Sequence, residues 1–286
     1  MKTKILLLSP YKHLPKFCIE LEKNFEVVNG TDISDDTTLL NTLKDHKDIN
    51  VVFYAPNYKK LLLTNKNIPD SVDYILTPST GLNHIDVKAK KIISIKNDSI
   101  LEKIHSTAEH NLFLILSLAR SISNPPIELS NLSIGILGYG RLGRMLHKYV
   151  KPLFKNVYVS DSYFGHTNFY DVDFVSINVD LNDSSKEMVN DGYISKFKKN
   201  IYIVNTARGE VVNEKDILKN VKNGKVLGYA TDVLQEEWSE KESILLKEKH
   251  DNIIITPHIG GTSIFAQELA YKKTIKKYLE EIGYNS

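Results

Sequence analysis

The chain has 286 residues, 42% of them hydrophobic and 25% charged, with a formal net charge of +2. That length suffices for about two domains, the composition is ordinary for a globular protein, and the charge excess is too small to imply nucleic acid or an acidic membrane surface as partner. A single cysteine, Cys18, excludes a disulfide framework within one chain and suits a reducing, cytoplasmic setting. No apolar run approaches the ~18 residues of a membrane span, and the opening run at 5–8 is too short for a signal-peptide core and reads as a first strand.

In chain order, short apolar runs at 4–8, 25–28, 51–54, 74–76 and 92–95 alternate with helical segments up to residue 97. Such alternation predicts an α/β unit with a parallel sheet. A longer helix is predicted over 107–121, with Leu112, Ile115, Leu116 and Ala119 on one side. Asn124-Pro125-Pro126 ends it, because proline cannot continue a helix. A second α/β unit begins near Leu132. Its predicted strands lie at 132–137, 157–160, 174–179, 201–205, 226–231 and 253–255, and its helices at 144–154, 192–197, 213–222 and 242–249. The last segment, 263–282, has a strong amphipathic helix pattern. Residues 162–173 form a connection near the dozen-residue minimum of a parallel crossover, which predicts a loop or one helical turn there.

The most specific signal is Gly138-Tyr139-Gly140-Arg141-Leu142-Gly143. It reads G-x-G-x-x-G, with a strand before it, a helix after it and an acid at the end of the next strand, which is the context a dinucleotide-binding turn requires. Gly138 permits the tight turn, Gly140 lets the backbone approach a pyrophosphate, and Gly143 lets helix and strand pack closely. The first N–H groups of the helix then hold the phosphates. Asp161 stands about 20 residues beyond the second glycine, where an acid meets a ribose hydroxyl.

Four polar residues follow strands of the same unit. Arg208 follows 201–204 in Asn205-Thr206-Ala207-Arg208-Gly209, Asp232 ends the next strand with Glu237 in the loop beyond it, and His258 follows 253–255 in Thr256-Pro257-His258-Ile259-Gly260-Gly261. Residues at the carboxyl ends of parallel strands face the crevice where α/β proteins bind ligands. An arginine, a glutamate and a histidine therefore converge on one sheet edge beside the proposed nucleotide.

These residues carry a resemblance to the D-isomer-specific 2-hydroxyacid dehydrogenases, the family of phosphoglycerate, glycerate and D-lactate dehydrogenases. It covers most of the chain: Ser79-Thr80-Gly81-Leu82-Asn83-His84-Ile85-Asp86, Thr107-Ala108-Glu109-His110, the Gly138–Gly143 turn, and the segments around Arg208, Asp232 and His258. The spacings from Arg208 to Asp232 and from Asp232 to Glu237 agree as well. The resemblance implies two Rossmann-like α/β domains with parallel sheets. A dinucleotide-binding domain, 98–262, is inserted in a flavodoxin-like substrate-binding domain, 1–97 plus 263–286. It further implies hydride transfer between NAD and a small 2-hydroxy or 2-oxo acid, with no metal. Arg208 would bind the substrate carboxylate and carbonyl, since a guanidinium fork matches a planar carboxylate. His258 would be the acid/base and Glu237 its partner, a neighbouring carboxylate favouring the charged imidazole. Ser79, Thr80 and Gly81 would cradle the substrate carboxylate. Arg141 and Leu142 would join the three glycines at the pyrophosphate, and Val179, Thr206, Ala207 and Asp232 would contact the cofactor. Asp161 would take the adenine-ribose hydroxyls and repel the extra phosphate of NADP, favouring NAD. A homodimer is implied as well.

The chain departs from the family pattern at several places. Asn178 and Asp180 stand where the family often has His and Pro, and Trp238 follows Glu237 where proline is usual. Tyr54-Ala55-Pro56-Asn57-Tyr58-Lys59 lacks the arginine that phosphoglycerate dehydrogenases carry there, which argues against a phosphorylated substrate. The segment 121–131 is short, so a dimer interface should differ from the usual one. The competing reading is a dinucleotide-sensing regulatory protein on the same scaffold, against which the intact Arg208, Glu237 and His258 set stands.

Overall fold

The computed structural model describes residues 2–56, 61–163, 165–166, 169–235, 237 and 241–284. It divides into two compact units, Met1–Ile104 with Thr262–Ser286, and His105–Gly261. The second unit is thus an insertion in the first.

Unit 1 runs β1 (Thr3–Leu7), α1 (Pro15–Asn24), β2 (Phe25–Asn29), α2 (Asp36–Asp45), β3 (Ile49–Phe53), β4 (Leu63–Thr64), β5 (Tyr74–Thr77), β6 (Ile85–Asp86) and β7 (Lys91–Ser94), and closes with the C-terminal helix Ile264–Glu281. Its five-stranded sheet has the order β2-β1-β3-β5-β7 and every pairing in it is parallel. This is the flavodoxin-like, doubly wound order. β4 and β6 make a separate parallel pair. Successive strand residues point to opposite faces, and both faces are covered. Ile5, Leu7, Val51 and Phe53 pack with Phe17 and Leu21 of α1 and with Tyr271, Ile275 and Tyr278 of the C-terminal helix. Leu6, Leu8, Val52 and Tyr54 pack with Leu39 and Leu43 of α2. Side-chain caps start two of these helices: Asp35 accepts from the Thr38 amide, and Ser263 from the Ala266 amide.

Unit 2 runs α3 (Ser106–Ser117), a wider helical turn at Leu118–Ile122, then β8 (Ser133–Leu137), α4 (Arg141–Val150), β9 (Asn156–Asp161), β10 (Gly165–His166), β11 (Phe174–Ile177), α5 (Asp191–Ile194), β12 (Ile201–Asn205), α6 (Glu214–Lys222), β13 (Val226–Thr231), α7 (Ile244–Lys247) and β14 (Ile253–Ile255). The sheet order is β10-β9-β8-β11-β12-β13-β14. All pairings are parallel except β10 with β9. One face packs Ile134 and Ile136 against Leu114, Ile115 and Leu118 and against Leu146 and Val150 of α4. The other packs Val175, Ile177, Ile201 and Ile203 against Ile217, Leu218 and Val221 of α6.

The short β4–β6 pair was not expected from the sequence, and two further differences bear on the site. The helix expected over 144–154 begins at Arg141, directly after Gly140 as N-cap, and ends at Val150. Its first turn is Arg-Leu-Gly, which has no apolar periodicity to betray it. The connection after β9 is neither plain loop nor helical turn, since β10 turns back antiparallel onto Asp161 and Ser160. A dozen residues leave little room for a parallel strand with its crossover helix, whereas a hairpin needs only a tight turn.

Candidate functional site

Strand register builds the site of unit 2. Ser160, Leu137, Ile177, Asn205, Thr231 and Ile255 are paired in sequence across five interfaces, so they form one row. The residues that follow them, Asp161, Gly138, Asn178, Thr206, Asp232 and Thr256, therefore stand side by side at the sheet's carboxyl edge. The strand order reverses on either side of β8, the switch point at which doubly wound sheets bind ligands.

The glycine turn fits a dinucleotide on three observations. Gly138 has φ +91°, and a Cβ there would lie 2.7 Å from the Asn178 carbonyl carbon. At Gly143 a Cβ would lie 2.2 Å from the Gly138 carbonyl oxygen, so helix and turn are in contact. At Gly140 a Cβ would meet nothing within 4 Å, and no side chain caps α4. Backbone amides at the positive end of a helix thus border open space of the kind a pyrophosphate fills. Asp161 ties this turn to the end of β9: its two carboxylate oxygens accept from the Tyr139 amide at 2.7 Å and the Tyr163 amide at 2.8 Å. Arg141, Leu142 and Val179 are half-buried beside it.

Beneath the row runs a buried polar chain that sequence reasoning missed. Asn111 of α3 donates to Thr206 Oγ1 at 2.8 Å and accepts from Ser176 Oγ at 3.0 Å. Asn178 Nδ2 donates to the same Ser176 Oγ at 3.0 Å. Asn178 and Thr206 are thereby fixed from below, and Asp180 is exposed.

Arg208 follows β12 in a turn set by Asn205, whose Oδ1 accepts from the Ala207 amide at 3.0 Å and whose Nδ2 donates to the Arg208 carbonyl at 3.0 Å. The guanidinium is half-buried and donates to the Ala207 carbonyl at 2.6 Å. The neighbouring Glu210 carboxyl is raised above its usual range, chiefly by burial; the charge of Arg208 opposes the shift and that of Glu237 adds to it. Arg208 and Glu237 thus lie within electrostatic reach of one group.

His258 and Glu237 meet directly, Nδ1 to Oε1 at 2.5 Å. They are 21 residues apart in sequence, and the β13–β14 pairing brings their loops together. His258 has φ +56°, a left-handed conformation uncommon outside glycine that persists where surrounding bonds hold it. Asp232 supplies those bonds. Its oxygens accept from the Ile259 amide at 2.9 Å, the Gly260 amide at 2.7 Å and Thr256 Oγ1 at 2.5 Å. His110 Nε2 of α3 lies 2.9 Å from Thr256 Oγ1 and 3.3 Å from Asp232 Oδ1. Burial alone would raise the Asp232 carboxyl, but hydrogen bonds from His110, Thr256, Gly260 and Ile259 outweigh it and hold it below the usual carboxylate range.

In unit 1, Ser79, Thr80 and Gly81 are half-buried in the loop leaving the carboxyl end of β5, a loop spanned by the buried Thr77–His84 contact at 3.0 Å. Asn57, Tyr58, Lys59 and Trp238 lie outside the described residues. Among the described residues no group of three His, Cys, Asp or Glu side chains could hold a metal ion, and no helix is long and apolar enough to cross a membrane.

Known proteins resemble this chain in sequence and in fold. Residues 117–260 match the family model described as D-isomer specific 2-hydroxyacid dehydrogenase, NAD binding domain. A glyoxylate reductase of Thermofilum pendens is 30% identical over 273 residues, covering 82% of this chain and 75% of that protein. A D-specific alpha-keto acid dehydrogenase of Enterococcus faecium is 28% identical over 243 residues, covering 73% of this chain and 76% of that protein. Among solved structures, D-lactate dehydrogenase from Aquifex aeolicus, complexed with NAD and lactic acid, shares the fold with TM-score 0.73 at 24% identity, over 98% of this chain and 96% of that one.

Proposed function

The chain belongs to the D-isomer specific 2-hydroxyacid dehydrogenases, and from that premise we propose that Arg208, Glu237 and His258 interconvert a small D-2-hydroxy acid and its 2-oxo acid. The enzyme is an NAD-dependent oxidoreductase. When bound, NAD supplies the acceptor for the hydride leaving C2 of the hydroxy acid, and NADH the donor for the reverse reaction.

Arg208 binds the substrate carboxylate and the oxygen on C2. The planar fork fixes the acid, and the positive charge stabilises negative charge developing on that oxygen. His258 exchanges the substrate proton through Nε2, accepting it from the hydroxyl in oxidation and returning it to the oxygen in reduction. Glu237 on Nδ1 fixes the tautomer and stabilises the charged ring. Gly138, Gly140, Arg141, Leu142 and Gly143 hold the pyrophosphate. Asp161 takes the adenine-ribose hydroxyls and makes NADP the poorer cofactor, while Val179, Thr206, Ala207 and Asp232 serve the nicotinamide end. Ser79, Thr80 and Gly81 offer amides to the substrate carboxylate, which makes unit 1 the substrate-binding domain and unit 2 the cofactor-binding domain. The protein works in the cytoplasm, in keeping with its single cysteine. It assembles as a homodimer, for which the exposed Phe113 and Leu116 of α3 offer apolar surface.

The observation that carries the reading is the His258–Glu237 contact at 2.5 Å, on loops leaving the same sheet edge as the glycine turn. The test is NADH and NADPH oxidation over a panel of 2-oxo acids, with and without a phosphate. Turnover of an unphosphorylated acid, faster with NADH, is expected. Tight NADH binding with no turnover of any acid would instead favour the dinucleotide sensor.

A further inference from the structure

We propose that Glu214 is a positioning residue that holds Glu237 against His258, an inference that rests on the acid/base reading above. Glu214 opens α6 and is only 3% exposed. Its two carboxylate oxygens reach the two flanks of the Glu237 segment. Oε1 accepts from the Gln235 amide at 2.8 Å, two residues before Glu237. Oε2 accepts from Ser243 Oγ at 2.6 Å, six residues after it.

The chemistry of both partners calls for a charged carboxylate. The Gln235 amide can only donate. Ser243 Oγ accepts from the Leu245 amide at 3.1 Å as the cap of α7, so its own hydrogen is committed to Glu214. Two donors thus face one group in a buried place, and an acceptor with two oxygens satisfies both. The start of α6 favours the negative charge as well.

The upstream flank is anchored twice more. Gln235 Nε2 donates to Glu187 Oε1 at 2.7 Å. A Cβ on Gly209, the residue after Arg208, would lie 2.0 Å from the Leu234 carbonyl carbon, so the Arg208 turn and this flank are in backbone contact. Each half of the acid/base pair therefore has its own buried carboxylate: Asp232 fixes the His258 loop, and Glu214 ties down Gln235 and Ser243 on either side of Glu237. Because displacement of a working group by about 1 Å can cost on the order of 100-fold in rate, the anchor acts on turnover although it touches neither substrate nor cofactor.

The test is Glu214→Gln in the full-length enzyme. The glutamine keeps the shape but turns an N–H group toward one of the two donors. We expect kcat for 2-oxo acid reduction to fall about 10-fold or more, with NADH affinity unchanged. The loss should fall on kcat, with KM for the 2-oxo acid little changed, as it should in Glu237→Gln, because the substrate-binding Arg208 is untouched. Combining Glu214→Gln with Glu237→Gln should add little to Glu237→Gln alone, since both act through one contact. Ser243→Ala, which removes a single bond, should show the same effects in smaller degree and serves if Glu214→Gln does not fold. Undiminished kcat in a folded variant, a loss confined to KM, or full additivity with Glu237→Gln would each overturn the proposal. A wild-type enzyme that reduces no 2-oxo acid would instead overturn the underlying reading.

Discussion

At Asp232 a carboxylate that burial should neutralise remains charged because four groups converge on it. Its carboxyl lies below the usual carboxylate range despite burial, held there by His110, Thr256 and the amides of Gly260 and Ile259. The native state therefore binds the proton less readily than the unfolded chain. The stabilisation is fully present above the unfolded value near ~3.9 and is lost as pH falls through the lower native one. Asp232→Asn should cost about 1–3 kcal/mol at pH 7, the penalty of leaving buried donors unpaired. Thermal denaturation from pH 7 to 3 should show the gap to wild type narrowing only below about pH 4; a gap that does not change over that range would contradict the assignment. The sequence made Asp232 visible as a strand-end acid, but not the role of His110, whose partner Thr256 is 146 residues away. Glu214 was hidden in the same way. An acid in the first turn of a helix is ordinary there, and only the fold reveals that it holds a distant loop.

Among the elements, β8 and the glycine turn were the most legible, because the turn needs glycine for reasons that act within a few residues. The same reasons separate two substitutions. Gly143→Ala places a methyl 2.2 Å from the Gly138 carbonyl oxygen, where backbone must move, and should cost about 1–3 kcal/mol in denaturant titration. Gly140→Ala puts its methyl into open space, so stability should stay within about 0.5 kcal/mol of wild type while NADH affinity falls. Equal stability of the two variants, or full NADH binding by Gly140→Ala, would contradict the roles given to them. The parallel strands were legible from their apolar runs, which both-face burial requires. β10 was not: its two residues, Gly165 and His166, carry no apolar pattern. The start of α4 escaped notice for a related reason, since phosphate-binding first turns are built from backbone amides and not from an apolar stripe.

On the scale of the whole molecule, the chain interrupts a flavodoxin-like unit with a dinucleotide-binding one and returns to finish the first with the helix Ile264–Glu281. A ligand that binds only the native state stabilises it by mass action, so NADH at about 100 times its Kd should add about 2.7 kcal/mol, read as a rise in Tm. NADPH at the same concentration should add less if Asp161 excludes the extra phosphate. Sedimentation at micromolar concentration should give the mass of two chains, and a single-chain mass would remove the homodimer from the proposal. The central claim is that a guanidinium and an imidazole paired to a carboxylate carry the reaction. Its most direct test is kcat/KM for reduction of the best 2-oxo acid by wild type, Arg208→Ala and His258→Ala, with NADH affinity measured on the same samples. Each variant is expected to lose at least about 100-fold in kcat/KM while binding NADH within about twofold of wild type. An active wild type matched by both variants would contradict the account.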